Sequence, residues 1–148
     1  MIKHLVFILY FFCLEKSFGQ IKIDGGFPEW EILVKKSVEL VEQTDSIYHR
    51  TLIRNCKKIS FWNGPYSTTE DNSIVISISD LKSKSLNNIA CVLVHESKHL
   101  ELFEAKSLTQ SEEECIAYRY ELDFIIKLKN PEPYLNKNCL DYLNKFCD

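Results

Sequence analysis

Residues 89–103 read IACVLVHESKHLELF and carry an H-E-x-x-H motif at positions 95–99, inside an apolar stretch. Residues four positions apart lie one turn apart on the same face of an α-helix, so His95 and His99 are expected side by side. Two imidazoles in this arrangement can bind one zinc ion, and Glu96 can reach a water molecule on that ion as a general base. The motif therefore predicts two metal ligands and one catalytic residue on a single helix.

The alternative for this segment is a surface helix that carries two solvated histidines and a charge. Three apolar residues, Val92, Leu93 and Val94, precede the motif without a break, which indicates that the helix is buried. Buried polar groups need partners, and a metal ion is the simplest partner for two histidines and a glutamate. The sequence context therefore favours a metal site.

The composition is that of one globular domain with a substantial core, because 45% of the 148 residues are hydrophobic and 12% are aromatic. The formal net charge of −3 argues against a nucleic-acid partner, since such proteins usually carry a basic surface. We expect a single domain over residues 20–148.

The first 19 residues have the pattern of a secretory signal peptide. Lys3 and His4 form a positive n-region, residues 5–14 form an apolar run, and Ser17 and Gly19 are small residues at the −3 and −1 positions of a cleavage site. Ten apolar residues are too few for a membrane span of about 20, so no stable membrane anchor is expected. The sequence predicts cleavage near Gly19 and a secreted or periplasmic protein.

Export to an oxidising compartment would favour disulfides among the five cysteines that remain after cleavage, Cys56, Cys91, Cys115, Cys139 and Cys147. An odd count leaves at least one thiol free or paired with another chain. If one helix joins Cys139 to Cys147, the two lie about 12 Å apart and cannot bond to each other. Two alternatives remain open for Cys91 and Cys115. They form a disulfide with each other, or both are small buried thiols.

The order of elements predicts an α+β fold, a helix-rich single domain with a small antiparallel β-hairpin leading into the metal-binding helix. Residues 58–62 and 73–79 are predicted as the strands of the hairpin, with a polar turn at 68–72. Strand 73–79 is our candidate for a free edge that could pair with an extended peptide, although a strand that only covers the core is an equally good interpretation.

The remaining segments have helical periodicity. A long stretch over residues 29–52 contains a second start at Asp45 or Ser46, and the motif helix starts at Asp80 or Ser85. Ser111 is predicted to cap a helix that runs from residue 112 to residue 128. A last helix over residues 134–146 follows a proline-rich break.

A catalytic zinc usually has three protein ligands, and the best source of the third is the run Glu112, Glu113 and Glu114. Adjacent helical residues point about 100° apart, so one of the three is expected to face the metal. Glu114 is the first choice, since it shares a face with Ala117, Tyr118 and Glu121, and a small residue at 117 would let two helices approach. Glu113 is second and Glu112 third, because acidic residues in a first turn also complement the helix dipole. His49 is the only other histidine of the mature chain, and a lone histidine on a helix is more often structural.

The motif at positions 95–99, followed 15 residues later by Glu114, resembles the zincin metallopeptidases and more narrowly the gluzincins, in which a downstream helix supplies a glutamate ligand. The resemblance covers about 25 residues. It implies His95 and His99 as zinc ligands, Glu96 as general base and Glu114 as third ligand. In that family an aspartate four positions after the glutamate orients a histidine; here Tyr118 occupies that position.

These features predict a zinc-dependent metallopeptidase that uses one Zn²⁺ ion to hydrolyse a peptide or protein substrate, with Glu96 as general base. Tyr66, Tyr118 and His49 are the candidate hydrogen-bond donors for the oxyanion. The alternative is a metal-binding or partner-binding module without turnover on a peptidase-like fold, and a third possibility is a helical adaptor with an accidental motif. The sequence leaves substrate specificity and oligomeric state open.

Overall fold

Ten regular elements follow one another in residues 21–103 and 107–147, which are the residues that the computed structural model describes. They are β1 (Lys22–Asp24), α1 (Pro28–Thr44), α2 (Ser46–Asn55), β2 (Lys58–Trp62), β3 (Thr68–Glu70), β4 (Ser73–Ser77), α3 (Ile78–Lys82), α4 (Leu86–Leu102), α5 (Gln110–Lys127) and α6 (Pro133–Phe146). The predicted helix-rich α+β fold is confirmed. The predicted signal peptide, residues 1–19, lies outside the described residues.

The helices begin where the sequence offers capping residues. The Asp45 side chain accepts a hydrogen bond from the Ile47 amide at 2.9 Å and so starts α2, and the Ser85 hydroxyl accepts one from the Asn88 amide at 3.0 Å and starts α4. The predicted cap at Ser111 is wrong. Thr109 caps α5 through a reciprocal capping box with Glu112, which holds the start of the helix two residues earlier.

The four strands form one mixed sheet in the order β1, β2, β4, β3. The predicted antiparallel pairing of strands 58–62 and 73–79 is wrong, because β2 and β4 run parallel, with Ile59 opposite Ile74. The antiparallel hairpin is instead formed by β3 and β4, and it leads through the short α3 toward α4. Its tight turn uses Asp71, which has a φ of 51°, a conformation that aspartate tolerates better than most residues.

The predicted polar turn at 68–72 contains strand β3, because β-branched threonines at 68 and 69 suit extended backbone. β3 follows β2 in the sequence but is not its neighbour in the sheet. β4 lies between them and pairs with both. The interpretation of strand 73–79 as a free edge is therefore wrong. In the described sheet, β1 and β3 are the edge strands, and β3 packs against α4.

Helix α4 lies between two hydrophobic clusters, which explains why the motif sits in an apolar stretch. Its residues Ile89, Leu93 and Leu100 join a cluster with the sheet and α1, and Ala90, Cys91 and Val94 join a second cluster with α5 and α6. Complete burial of a large aliphatic side chain contributes roughly 1.5–3 kcal/mol, so both faces of α4 are firmly held. The histidines project from a helix whose position is fixed on both sides.

One disulfide ties the two last helices together. Cys115, in the second turn of α5, is bonded to Cys147 at the end of α6, and their Cα atoms are 5.1 Å apart. The possible Cys91–Cys115 bridge is therefore wrong, because Cys91 is 2% exposed inside the second cluster while Cys115 faces the end of α6. Cys139 is free, and the prediction that it does not bond to Cys147 is confirmed. Burial raises the pKa of the Cys91 thiol, which keeps it protonated and unreactive.

Candidate metal centre

The two histidines of the motif converge on one point, as their spacing predicts. His95 and His99 lie one turn apart on α4, and their Nε2 atoms are 3.1 Å from each other. The side chains are 10% and 15% exposed, so the pair is shielded but can still be reached from solvent. The alternative of a surface helix with two solvated histidines is therefore wrong.

The third member of the group comes from α5, which packs against α4. The Glu114 Oε2 atom lies 3.5 Å from the His95 Nε2 atom and 3.7 Å from the His99 Nε2 atom. Ala117, one turn later on the same face, is completely buried, as expected of a small residue between two close helices. The choice of Glu114 within the glutamate run thus agrees with the geometry.

The neighbours of Glu114 have other surroundings. The Glu112 carboxylate accepts hydrogen bonds from the Thr109 backbone amide at 2.7 Å and the Thr109 hydroxyl at 2.8 Å, which commits it to the helix cap. Among the described residues, the group that could hold a metal ion consists of His95, His99 and Glu114, without Glu113 and without His49. His49 is buried on α2.

The three atoms fit a tetrahedral zinc site. Zinc binds nitrogen and oxygen ligands at about 2.0–2.1 Å, so neighbouring ligand atoms in a tetrahedral site are about 3.4 Å apart. The distances among the two Nε2 atoms and the Oε2 atom are 3.1, 3.5 and 3.7 Å. The donor set of two imidazoles and one carboxylate is also that of several catalytic zinc sites, and it leaves one position for water.

Glu121 is a site residue that the sequence analysis did not assign. Its Oε2 atom lies 3.0 Å from the Nδ1 atom of His95, on the side of the ring away from Glu114. A carboxylate at this position accepts a hydrogen bond from the Nδ1–H group and leaves Nε2 to bind a metal. The signal was its position seven residues after Glu114, two turns along the same helical face. Glu121, rather than the residue at 118, therefore supplies the carboxylate that contacts the His95 ring.

The carboxylates change the proton affinities of the group strongly. Burial alone would lower the pKa of His95, but the carboxylates of Glu114 and Glu121 outweigh it and raise that pKa to about 10. Burial acts to raise the pKa of Glu114, and the nearby imidazoles of His95 and His99 reverse this and lower it to about 2. In the absence of a cation the group thus holds a proton that a metal ion would displace.

Glu96 lies beside the group without belonging to it. The residue is 7% exposed, and burial raises the pKa of its carboxyl group, although the charges of His95 and His99 act in the opposite direction. A carboxylate with a raised pKa accepts a proton more readily at neutral pH than an exposed one. Its position therefore suits the predicted general base.

Tyr118 is the candidate oxyanion donor with a ring contact at the site. Its ring centroid lies 4.3 Å from that of His95, and burial raises the pKa of its hydroxyl, which keeps it protonated as a donor. Tyr66, by contrast, is 66% exposed and follows β2 in a loop.

Comparisons with protein-family models, with well-characterised proteins and with solved structures gave no significant match to this chain. In residues 21–103 and 107–147, no helix combines the length and the apolar character needed to cross a membrane.

Proposed function

We propose that this protein is a small exported zinc metallopeptidase of the gluzincin type. The observation that carries the proposal is the convergence of His95, His99 and Glu114 to within 3.1–3.7 Å of one another, next to the buried Glu96. The same three donors also suit iron(II) in oxygenases. The buried carboxylate beside them favours hydrolysis, because hydrolysis needs a base at that place.

Each residue of the site has its own role in the proposed hydrolysis. A zinc ion held by His95, His99 and Glu114 would polarise the scissile carbonyl and acidify a water molecule. Glu96 takes a proton from that water and passes it to the leaving amine. Tyr118 donates a hydrogen bond to the carbonyl oxygen as negative charge develops on it.

The sheet supports a peptide as substrate. β3 is an edge strand, and it packs against α4, the helix that carries the histidines. An extended peptide can add to such an edge by main-chain hydrogen bonds, which bind it without demanding a particular sequence. A flexible peptide or an exposed loop therefore suits this small domain better than a folded protein.

The disulfide supports export. Structural disulfides persist in oxidising compartments and are rare in the cytosol, and Cys115 is bonded to Cys147. Together with the signal-peptide pattern of residues 1–19, this favours a secreted or periplasmic location.

The test is hydrolysis of a mixed peptide library, read by mass spectrometry, with purified mature protein, the Glu96→Gln variant and the Glu101→Gln variant. Glu101 is an exposed carboxylate on the same helix and serves as the matched control. Wild type and Glu101→Gln should cleave peptides, and Glu96→Gln should keep its zinc but lose the activity. A wild type that binds zinc without cleaving any peptide would support the alternative, a metal-binding module without turnover.

A further inference from the structure

An aromatic stack runs from the candidate metal centre to the end of α6. The Tyr118 ring contacts His95 on one side and lies parallel to Tyr142, with ring centroids 4.8 Å apart and an interplanar angle of 9°. Phe146 is parallel to Tyr118 as well, with centroids 6.0 Å apart. Lys145 lies 4.7 Å from the centroid of the Phe146 ring. The His95 ring is thus connected to the last turn of α6 through ring contacts.

Three contacts fix α6 against α5, two at its end and one at its middle, and so hold this stack in place. The first is the Cys115–Cys147 disulfide, which adjoins both Glu114 and Phe146 in the sequence. The second is the Ser111 hydroxyl, which donates to the Phe146 carbonyl at 3.1 Å, and the third is the Cys139 thiol, which donates to the Tyr118 carbonyl at 3.2 Å.

We propose that α6 is a positioning device for the metal centre, in which the disulfide holds Tyr142 and Phe146 against Tyr118 and thereby sets the orientation of His95. This inference deepens the proposed function and rests on its metal site. Tyr142 and Phe146 are positioning residues, since they act on the site through Tyr118.

The physical reason is that the His95 ring is confined from two directions. Glu121 holds its Nδ1 atom at 3.0 Å, and Tyr118 packs against the ring. If the end of α6 moves away, Tyr118 loses two stacking partners and gains rotamer freedom, and its packing against the His95 ring loosens. Binding a metal then requires ordering the ring again, which lowers the affinity.

The disulfide makes this device sensitive to redox conditions. Both cysteines line an open groove of about 280 Å³ together with Leu108, Ile116 and Phe146, so a small reductant can approach the sulfurs. A dithiol reductant would donate two electrons and two protons, leaving Cys115 and Cys147 as thiols and becoming a disulfide itself. Metal affinity should therefore fall under reducing conditions.

The test measures zinc affinity by competition with a chromophoric chelator, for the mature protein and its Tyr142→Leu, Phe146→Leu and Cys115→Ser/Cys147→Ser variants. Serine replaces cysteine because free thiols could bind zinc themselves. Tyr142→Phe keeps the ring, and Tyr134→Leu removes a ring of similar exposure at the start of the same helix (42% against 43%). The visible spectrum of bound Co²⁺ reports the geometry of the ligands, and circular dichroism identifies folded variants.

The inference predicts a loss of about tenfold in zinc affinity for Tyr142→Leu, Phe146→Leu and the double variant, with a changed Co²⁺ spectrum. Tyr142→Phe and Tyr134→Leu should stay within about twofold of wild type. Folded variants with unchanged affinity and spectrum would overturn the inference and leave the metal site standing. If one variant fails to fold, the remaining folded variants decide the question. A wild type that binds no zinc would instead overturn the proposed function.

Discussion

The Glu121 carboxylate lies 3.0 Å from the Nδ1 atom of His95, while the Nε2 atom of the same ring faces Glu114 and His99. One imidazole is therefore held at both nitrogens by groups from α4 and α5. A carboxylate on Nδ1 fixes the tautomer and makes Nε2 a better ligand. The relationship gives Glu121 a role at the site that does not require it to touch a metal ion.

Removing this carboxylate should weaken metal binding while leaving the ligands in place. We expect Glu121→Ala to lower zinc affinity by roughly 10- to 100-fold, which is the usual effect of losing such a partner. Asp123→Ala is the control, because Asp123 is an exposed acid on the same helix. Chelator competition measures both, and equal affinities for the two variants would show that the contact with His95 is incidental.

The metal-free protein should have a stability maximum in mildly acidic solution. The pKa of His95 is raised from 6.5 to about 10, so its contribution is complete below pH 6.5 and is lost as the pH rises through 10. The pKa of Glu114 is lowered from 4.5 to about 2, so its contribution is complete above pH 4.5 and is lost as the pH falls through 2. Stability from this group should therefore be greatest between pH 4.5 and 6.5.

Urea unfolding in the presence of a chelator, at pH steps from 3 to 10, tests this dependence. His95→Ala is the reference, and its difference from wild type should shrink toward high pH. A difference that grows between pH 6.5 and 10 would contradict the assigned proton affinities. Zinc affinity should show the opposite trend and rise with pH, because the cation displaces a proton from the group.

The disulfide should contribute to stability independently of the metal. It closes a loop of 32 residues, for which the chain-entropy estimate is about 3–4 kcal/mol. We expect Cys115→Ser/Cys147→Ser to lose roughly this much of its free energy of unfolding, measured by denaturant in the metal-free state. The Cys139→Ser variant is a comparison that leaves the bridge intact. A double variant as stable as wild type would show that the bridge does not restrain the unfolded chain.

Glu112 and Glu114 are expected to have different roles, because Glu112 belongs to the capping box of α5 and Glu114 is the proposed metal ligand. We expect Thr109→Ala to lower the free energy of unfolding by about 1 kcal/mol, since it removes the cap of α5. Glu112→Ala should have a similar effect, and neither change should alter zinc stoichiometry. Loss of zinc from a folded Glu112→Ala protein would mean that the wrong member of the glutamate run has been assigned to the metal.

The local parts of this structure could be predicted from the sequence. Helix spacing alone brought His95 and His99 together, and the shared face of Glu114 and Ala117 pointed to the glutamate that lies beside both histidines. Asp45 and Ser85 marked helix starts because their side chains can replace missing backbone partners. Each of these features depends on residues within one or two turns of each other.

The features that were predicted wrongly or missed depend on how distant segments of the chain pack together. The sequence of β2 and β4 is compatible with either strand direction, and the parallel arrangement follows from the insertion of β4 between β2 and β3. Cysteine pairing is likewise a long-range property, and Cys115 is bonded to Cys147, which lies 32 residues later in the sequence. Glu121 was visible on the correct helical face, but its contact with His95 depends on the register between α4 and α5.

The central claim is that His95, His99 and Glu114 together bind one divalent cation. The most direct measurement is the zinc content of purified protein, by mass spectrometry, beside His95→Ala, His99→Ala, Glu114→Ala and Glu113→Ala. We predict one zinc per chain in wild type and in Glu113→Ala, and much less than one in the other three. Zinc-free wild type after incubation with excess Zn²⁺ would contradict the account, and so would retention of full zinc by a folded Glu114→Ala protein.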